Sequence, residues 1–305
     1  MKDTAYFRQA ELLLRILPLI YRKKMFALKG GTAINFFVRD LPRLSVDIDL
    51  AYLPVKEREL ALNDIGKSLV LISQEIERAV TGTKITLKRI HGTDFIRGMV
   101  VNQEGVTVKI EPNLVLRGSV YPVETKRLCK KAQDLFELSV ISRTLSMEEL
   151  YAGKICAALD RQHPRDLFDV YLLIKNEGLT DKIRRAFIVY LISHPRPMIE
   201  ILSPKPNEMR DIFEKEFRDL IAEDVTYESL EATREQMISL LSKGLTTQER
   251  KFIVSVKKGV PDWDLLGLEG VENLPAVKWK LVNIGKMAPS KHKKALHRLR
   301  DYLMI

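Results

Sequence analysis

The sequence predicts an α+β protein, with a mixed α/β first part and a second part made mostly of helices. Short apolar stretches and period-two alternation, which are typical of strands, recur between residues 25 and 111. Beyond about residue 140 the apolar residues follow helical spacing instead. With 305 residues, of which 46% are hydrophobic, the chain is long enough for two modest domains.

The first part is expected to alternate helices and strands. Residues 4–24 have helical spacing, and Pro18 predicts an interruption or a kink. Residues 25–28 form a short apolar stretch that is typical of a buried strand. The other elements predicted here are strands over 46–53, 83–91, 95–101 and 105–111 and a helix over 57–80. The last two strands are expected to pair as a hairpin across residues 102–105.

The second part is expected to be helical. Ser146 and Glu149 have the spacing of a capping box, which predicts a helix that runs to about residue 160. A second helix is expected to begin near Arg165. Its apolar stripe consists of Leu167, Val170, Tyr171 and Ile174. Four prolines predict a linker, so the expected organisation is a domain over 1–193, a linker over 194–207 and a basic helical domain over 208–305.

Charge, cysteine content and hydropathy narrow the classes of partner and compartment. The chain has 50 Lys and Arg residues against 40 Asp and Glu, a formal net charge of +10. This charge favours polyanions such as RNA, DNA or nucleotides, although many basic surfaces only keep a protein soluble. Cys129 and Cys156 lack the spacing of a disulfide framework or a zinc site. Without a signal peptide, or an apolar run near the roughly 18 residues of a membrane span, a cytoplasmic protein with no membrane partner is expected.

Two aspartates in the predicted strand over 46–53 suggest metal binding. Asp47 and Asp49 are two residues apart, so they project from one face of the strand, about 7 Å apart at Cα. Two such carboxylates repel each other unless a cation lies between them, and a divalent ion placed there assists in-line attack on phosphorus. An ordinary amphipathic strand with acidic residues in water has the same pattern.

Gly30 and Gly31 lie between the predicted buried strand and a short helix expected over 33–38. Unpaired backbone N–H groups at such a turn create an anion site, and glycine lets a phosphate approach the backbone closely. A tight turn that needs positive φ would also explain the glycines. A phosphate-binding turn followed by a metal-binding strand is, however, what a nucleoside triphosphate with magnesium requires. Thr32 is expected to contact phosphate or only to cap the helix.

A third carboxylate, Glu111, ends the alternating strand over 105–111. If this strand lies beside the strand of Asp47 and Asp49, Glu111 can share a metal and accept the proton of an attacking hydroxyl. A solvated carboxylate at the end of a strand is the alternative.

Lys154 lies at the margin of the apolar face of the helix that begins after Ser146. Its stem can cross packed surface and present the ammonium group to a cleft, where it would neutralise charge on departing pyrophosphate. Asp166 is expected to orient Lys154 or to touch the nucleotide, and Asp169 is a weaker substitute for it. A plain surface salt bridge, which contributes at most about 1 kcal/mol, is the alternative.

Several of these stretches together resemble a known family. Residues 26–35 (FALKGGTAIN) and 43–50 (RLSVDIDL) resemble the AbiEii/AbiGii-type nucleotidyltransferase toxins, which belong to the DNA polymerase β-like superfamily. The resemblance continues through 154–161 and 165–169, and it covers at least residues 25–190. It implies a small mixed β-sheet nucleotidyltransferase core flanked by helices, with a helical C-terminal domain.

The resemblance also implies a function. It implies an Mg²⁺-dependent enzyme, with Mn²⁺ as the alternative ion, that moves a nucleoside monophosphate from an NTP onto an acceptor. The implied acceptor is RNA, with tRNA as the expected kind, and the implied setting is a toxin-antitoxin or phage-defence system with a cognate antitoxin as partner. The residues assigned to catalysis are Asp47, Asp49, Glu111, Lys154 and Asp166. The residues assigned to NTP phosphates are Gly30, Gly31, Thr32, Ser45 and Lys154, and the metal ligands are Asp47, Asp49 and Glu111.

Two other functions stay open. A metal-dependent nuclease would also need clustered carboxylates but has no use for a triphosphate turn. A non-catalytic module that binds RNA or nucleotides would depend mainly on basic charge. The basic segment over 278–300, with Trp279, His292 and His297, is a candidate contact for an RNA backbone, and a solvated helix face explains it equally well.

Overall fold

The computed structural model describes residues 4–221 and 225–305, and the chain divides into two compact units. One unit comprises Met1–Leu150 with Leu220–Glu223, and the other comprises Tyr151–Asp219 with Asp224–Ile305. This division falls inside the helix Met147–Asp160, and it does not fall in the proline-rich segment. A division into compact units does not by itself define the boundaries of domains. The domains expected over 1–193 and 208–305 therefore stay a prediction.

The described part of the first unit contains a seven-stranded mixed sheet. Its strands are β1 Phe26–Lys29, β2 Asp47–Tyr52, β3 Thr83–Arg89, β4 Ile96–Gln103, β5 Val106–Asn113, β6 Glu124–Arg127 and β7 Ile141–Thr144. Its helices are α1 Ala5–Tyr21, α2 Gly30–Ala33, α3 Arg58–Ala79 and α4 Lys130–Phe136, and a π-helical segment, Ile34–Val38, follows α2. The strand order is β3-β4-β5-β2-β1-β7-β6. The α+β class predicted from the sequence is confirmed.

One face of this sheet packs into the core of the unit. Helix α1 contacts β5, and helix α3 contacts β4. The apolar residues of β2 and β5 that lie on the packed face are Ile48, Leu50, Val108 and Ile110. Alternate residues of a strand point to opposite faces, so the polar residues between them lie on the other, more exposed face. The candidate carboxylates are on that second face.

The predicted strands β2 to β5 are confirmed to within about two residues at each end. Strands β4 and β5 pair as the expected hairpin, and Glu104 and Gly105 at its turn have φ of 51° and 83°. Two consecutive positive φ values are what a two-residue turn of the favoured type needs. Strands β6 and β7 were not predicted: the edge strand β6 reads Glu-Thr-Lys-Arg and lacks apolar alternation, and the four-residue β7 lies where only helices were expected.

Two local predictions near the N-terminus are wrong. Helix α1 contains Pro18 and runs on to Tyr21, so the expected interruption does not occur, while the kink given as its alternative stays a prediction. Pro18 has no N–H to donate to the carbonyl four residues earlier, so the helix loses that one hydrogen bond and continues for three more residues. Thr32 does not cap a helix, because α2 already begins at Gly30 and Lys29 is its N-cap residue.

The described part of the second unit is helical, as the sequence predicts. Its helices are α5 Met147–Asp160, which begins in the first unit, α6 Pro164–Asn176, α7 Asp181–Ser193, α8 Met198–Leu202, α9 Arg210–Ile212, α10 Tyr227–Gly244, α11 Thr247–Lys258, α12 Pro275–Gly285 and α13 Pro289–Leu303. Phe213–Phe217 is π-helical, and Arg218–Leu220, Trp263–Leu265 and Val271–Asn273 are 3₁₀ turns. None of the helices that the structure describes is both long and apolar enough to cross a bilayer.

The proline-rich segment over 194–207 contains a regular element after all. Helix α8 lies within it, and four of its five residues are buried. Pro197 immediately precedes this helix, where a residue without an N–H group loses no helical hydrogen bond. Apolar burial therefore outweighs the proline density that predicted an irregular linker.

Candidate active site

The three candidate carboxylates lie on adjacent strands. Strand β2 runs parallel to β5, and the register places Asp47 beside Lys109 and Asp49 beside Glu111. Neighbouring residues in register project from the same face of a sheet. The condition set from the sequence, that the strand of Glu111 lies next to that of Asp47 and Asp49, is met.

The surroundings of these carboxylates differ. Asp47 and Glu111 are exposed, whereas Asp49 is half-buried. Carboxylate oxygens suit a hard divalent cation. Across residues 4–221 and 225–305, however, no three His, Cys, Asp or Glu side chains come close enough together to form a metal-binding group. The assignment of all three carboxylates to Mg²⁺ or Mn²⁺ therefore stays a prediction that rests on their shared face and their chemistry.

The carboxylate of Asp49 packs against the diglycine bend. A Cβ added at Gly30 would lie 2.6 Å from Asp49 Oδ2, which is much closer than nonbonded atoms approach. Gly30 also has a φ of +70°, which side chains rarely adopt. Glycine is thus needed here twice, for the backbone conformation and for the room that Asp49 occupies. Lys29, which no sequence pattern indicated, is the register neighbour of Asp49 on β1.

Gly31 faces a guanidinium group and a hydroxyl group. A Cβ added there would lie 2.6 Å from Arg43 Nη2 and 3.1 Å from Ser45 Oγ. Arg43 is only 4% exposed, and its Nη1 donates to the Leu44 carbonyl at 3.0 Å. Arg43 was not predicted as a site residue. It precedes Ser45, Asp47 and Asp49 in a period-two series, and that series was the available signal.

Thr32 connects the bend to the start of β2. Its hydroxyl donates to the Asp47 carbonyl at 2.6 Å and lies 2.9 Å from Ser45 Oγ. The Thr32 residue is almost fully buried. These bonds hold the diglycine bend against the carboxylate strand, so Thr32 has a positioning role, and its predicted contact with phosphate stays a prediction.

Lys154 and Asp166 meet inside the second unit. Lys154 Nζ lies 2.7 Å from Asp166 Oδ1 and 3.0 Å from Asp169 Oδ2, and both aspartate side chains are 0% exposed. Arg161 Nη2 also donates to Asp166 Oδ1, at 3.0 Å. The pair is therefore a buried cluster and not a surface salt bridge. Asp169, expected only as a substitute for Asp166, contacts Lys154 as well.

The Asp166 carboxyl is held in its ionised form. Burial raises its pKa, but the charges of Lys154 and Arg161 and their hydrogen bonds outweigh burial and hold the pKa well below its usual range. The stability that Asp166 contributes is therefore fully present above the pKa of an unfolded aspartate, about 3.9.

Acid is expected to weaken this cluster in a defined pH range. As the pH falls below about 3.9, the unfolded chain takes up a proton at Asp166 that the folded chain refuses, and the free energy of unfolding drops by up to about 1.4 kcal/mol per pH unit. Urea denaturation at pH 6, 4 and 3 measures this slope. The Asp166→Asn variant should start less stable and lose less per pH unit, and equal slopes would contradict the assignment.

The basic segment over 278–300 forms helices α12 and α13. Trp279 is 59% exposed, in keeping with a surface role. His292 Nε2 lies 2.7 Å from the Lys257 carbonyl, and His297 lies 3.4 Å from Asp301. Lys280 is buried and donates to two backbone carbonyls, so it does not belong to the basic surface. An RNA contact by this segment stays a prediction.

Alanine at Gly30 is expected to disturb the bend in a way that a matched glycine does not. Gly82 has a φ of +79° but nothing within 4 Å of an added Cβ, so Gly82→Ala suffers backbone strain alone. Gly30→Ala adds the collision with Asp49 and should lose on the order of 1–3 kcal/mol more of unfolding free energy. Chemical denaturation of both variants checks this. Equal losses would show that Asp49 does not crowd the bend.

Comparison with known proteins places these features in a family. A family model described as the nucleotidyl transferase AbiEii toxin of a type IV toxin-antitoxin system matches residues 11–281. Among solved structures the chain is similar to MenT4, a nucleotidyltransferase toxin from Mycobacterium tuberculosis H37Rv, with a TM-score of 0.61. The two are 13% identical, and the match covers 97% of this chain and 93% of that chain, so it concerns the fold. No curated protein matches the sequence. Because the family match spans most of its length, this chain belongs to the AbiEii family of nucleotidyltransferase toxins of type IV toxin-antitoxin systems.

Proposed function

We propose that this nucleotidyltransferase toxin moves a nucleoside monophosphate from an NTP onto RNA, with tRNA as the first acceptor to test. The family supplies the reaction class. The observation that carries the site assignment is the carboxylate of Asp49 packed against Gly30, with Glu111 beside it in register. This arrangement brings an acidic sheet face next to the diglycine bend, with the Arg43 guanidinium on the bend's other glycine.

The triphosphate is proposed to bind at the Gly30-Gly31 bend. The room left by the missing Cβ atoms is taken up by side chains of the site, by Asp49 at Gly30 and by Arg43 at Gly31. The Arg43 guanidinium beside Gly31 brings a positive charge to the same place, and the register neighbour of Asp49 is a second cation, Lys29. Since Arg43 is buried and its Nη1 already donates to the Leu44 carbonyl, the contribution proposed for it is the positive charge of its guanidinium group. Arg43 is therefore added to the phosphate-binding residues expected from the sequence.

Asp47, Asp49 and Glu111 are the residues proposed to hold a divalent cation, Mg²⁺ or alternatively Mn²⁺. When bound, such an ion neutralises charge on the phosphates and makes the α-phosphorus easier to attack. Glu111 is exposed and adjoins Asp49, so its carboxylate is suited to accept the proton of the acceptor hydroxyl. The hydroxyl oxygen then bonds to the α-phosphorus, and the bond to pyrophosphate breaks.

Lys154 is proposed to neutralise charge on the departing pyrophosphate, and Asp166 is proposed to position it. Support for the positioning comes from the buried contacts of the Lys154 ammonium group with Asp166 and Asp169. As the toxin of a toxin-antitoxin system the chain has a cognate antitoxin as its implied partner. A cytoplasmic location and a role in phage defence are part of the same proposal.

Incubation with each of the four α-labelled NTPs, Mg²⁺ and total RNA tests the proposal. The expected result is label in RNA that has grown longer, and sequencing of the labelled RNA identifies the nucleotide and the acceptor. Shortened RNA would indicate a nuclease, and unchanged RNA without label would indicate a binding module. Label on protein instead of RNA would show that RNA is not the acceptor, although the reaction would still be nucleotide transfer.

A further inference from the structure

The sheet face that carries the three carboxylates extends outward onto β3 and β4. Lys109 on β5 is the register partner of Val100 on β4, and Val100 in turn is the partner of Thr86 on β3. Lys84 and Lys88 lie two residues on either side of Thr86, so they project from its face of the sheet. Three lysines on β3 and β5 therefore share the face of Asp47, Asp49 and Glu111.

These three lysines are exposed and unpaired. Lys84, Lys88 and Lys109 are all exposed, and within the described residues none of their side chains makes a hydrogen bond or an ion pair. Other lysines of the same unit do have partners, as in the pairs Lys23 with Glu75, Lys56 with Asp64 and Lys130 with Asp134. The charge on this face is thus available to a ligand.

The neutral residues between the lysines are mostly polar. Asn102 on β4 donates to Thr107 Oγ1 at 3.2 Å, and Thr86 is exposed. Protein interfaces usually contain an apolar or aromatic centre, whereas the only apolar side chain that β3, β4 and β5 place on this face is Val100, which is half-buried. Its composition therefore favours a hydrated, repeating anion over a folded protein partner.

The spread of the charges indicates a long anion. Neighbouring strands are about 4.8 Å apart, so Lys109 lies about that far from Asp47 at Cα, and β3 lies about 14 Å from β2. Lys84 and Lys88 are about 13 Å apart along their strand. One triphosphate cannot contact all three lysines, whereas a nucleic acid repeats its charge every few ångströms.

We propose that the face formed by Lys84, Lys88 and Lys109 binds the phosphate backbone of the acceptor RNA. The RNA would lie across β3, β4 and β5, with Lys109 the lysine nearest to the carboxylates. The end of the RNA chain would then reach Asp47 and Asp49. That the bound RNA is the acceptor rests on the proposed function. The binding surface itself is distinct from the C-terminal basic segment singled out in the sequence.

A matched pair of triple variants of the full chain tests this surface. The surface variant replaces Lys84, Lys88 and Lys109 with Gln. The control variant replaces Lys24, Lys67 and Lys131 with Gln, three exposed lysines of the same unit that lie outside this face. Lys67 is on α3, which packs against the sheet's other face. Both variants lose the same charge, so only its location differs.

Binding of a fluorescently labelled tRNA pool, measured by anisotropy between 50 and 300 mM NaCl without NTP, is the readout. The surface variant is expected to bind at least about tenfold more weakly than the parent at low salt. Each lost phosphate contact lowers the slope of log K against log salt by about 0.7 to 0.9, so its slope should fall by about 2 to 3. The control variant should keep both the affinity and the slope of the parent.

Several outcomes would overturn the proposal. Equal binding by the two variants, equal loss in both, or a parent chain that binds no tRNA would each do so. Unchanged RNA binding with lost binding of co-expressed antitoxin would make the face a protein interface instead. Because no NTP is present, a failure here is separate from a failure of the labelling experiment: tRNA binding can fail while transfer succeeds, and the reverse.

Discussion

Asn in place of Asp49 is expected to reduce nucleotide transfer by about 10³-fold or more while the protein stays folded. The substitution keeps the size of the side chain and removes the charge next to the diglycine bend. A loss of that size corresponds to about 4 kcal/mol of transition-state stabilisation, which is typical when a group that organises charge at phosphorus is removed. Initial rates with labelled NTP and RNA measure the effect, and urea denaturation shows whether the fold is kept. Asp47→Asn should behave in the same way.

Asp94→Asn is the matched control for this experiment. Asp94 is a fully exposed aspartate that pairs only loosely with Arg89, at 3.3 Å. The chemical change is the same, but it occurs away from the bend, so transfer should be unchanged. If Asp49→Asn transfers nucleotide at the rate of the control, or if it still arrests growth in cells, the carboxylate face is not the catalytic centre.

Met in place of Lys154 is expected to have the largest effect on stability, a loss of about 3–5 kcal/mol of unfolding free energy. The side chains of Asp166 and Asp169 are fully buried, and the substitution removes a cation that contacts both. Asp166 keeps its contact with Arg161, but two buried carboxylates then have less compensating positive charge, which is costly in the protein interior. Chemical denaturation measures the loss.

Two further variants make that prediction specific. Lys251 is an exposed lysine of the same unit, so Lys251→Met should change the stability by less than about 1 kcal/mol. Adding Asp166→Asn and Asp169→Asn to Lys154→Met removes the buried charges together and should restore part of the lost stability. If the triple variant is less stable than Lys154→Met, charge burial is not the cause of the loss.

The local patterns of the strands were predictable, because they depend on residues that are near in sequence. Asp47 and Asp49 alternate with apolar neighbours, and so does Glu111, so both strands follow from period two. Their parallel pairing was not predictable from those patterns, since it depends on how the intervening helix and hairpin pack. The sequence therefore identified the three carboxylates. Whether they lie close together depended on a strand pairing that the sequence did not predict.

The basic residues of the site were harder to predict. Lys29 has no spacing motif, and the period-two series that includes Arg43 is a weak signal because lysine and arginine are common throughout this basic chain. Their relevance appears only once Lys29 is the neighbour of Asp49 and the Arg43 guanidinium is placed beside Gly31. Asp169 was undervalued for a similar reason, because helical spacing alone does not show that a charged side chain is buried with a partner.

The two parallel strand pairs have a consequence for synthesis of the toxin. Leu28 on β1 pairs with Thr144 on β7, and Asp49 pairs with Glu111, so each contact joins segments that are far apart along the chain. A growing polypeptide cannot form these pairs until the later strand has left the ribosome, and closing such long loops slows folding. A ribosome that makes this protein thus carries an unassembled carboxylate face until β5, which ends at Asn113, has emerged.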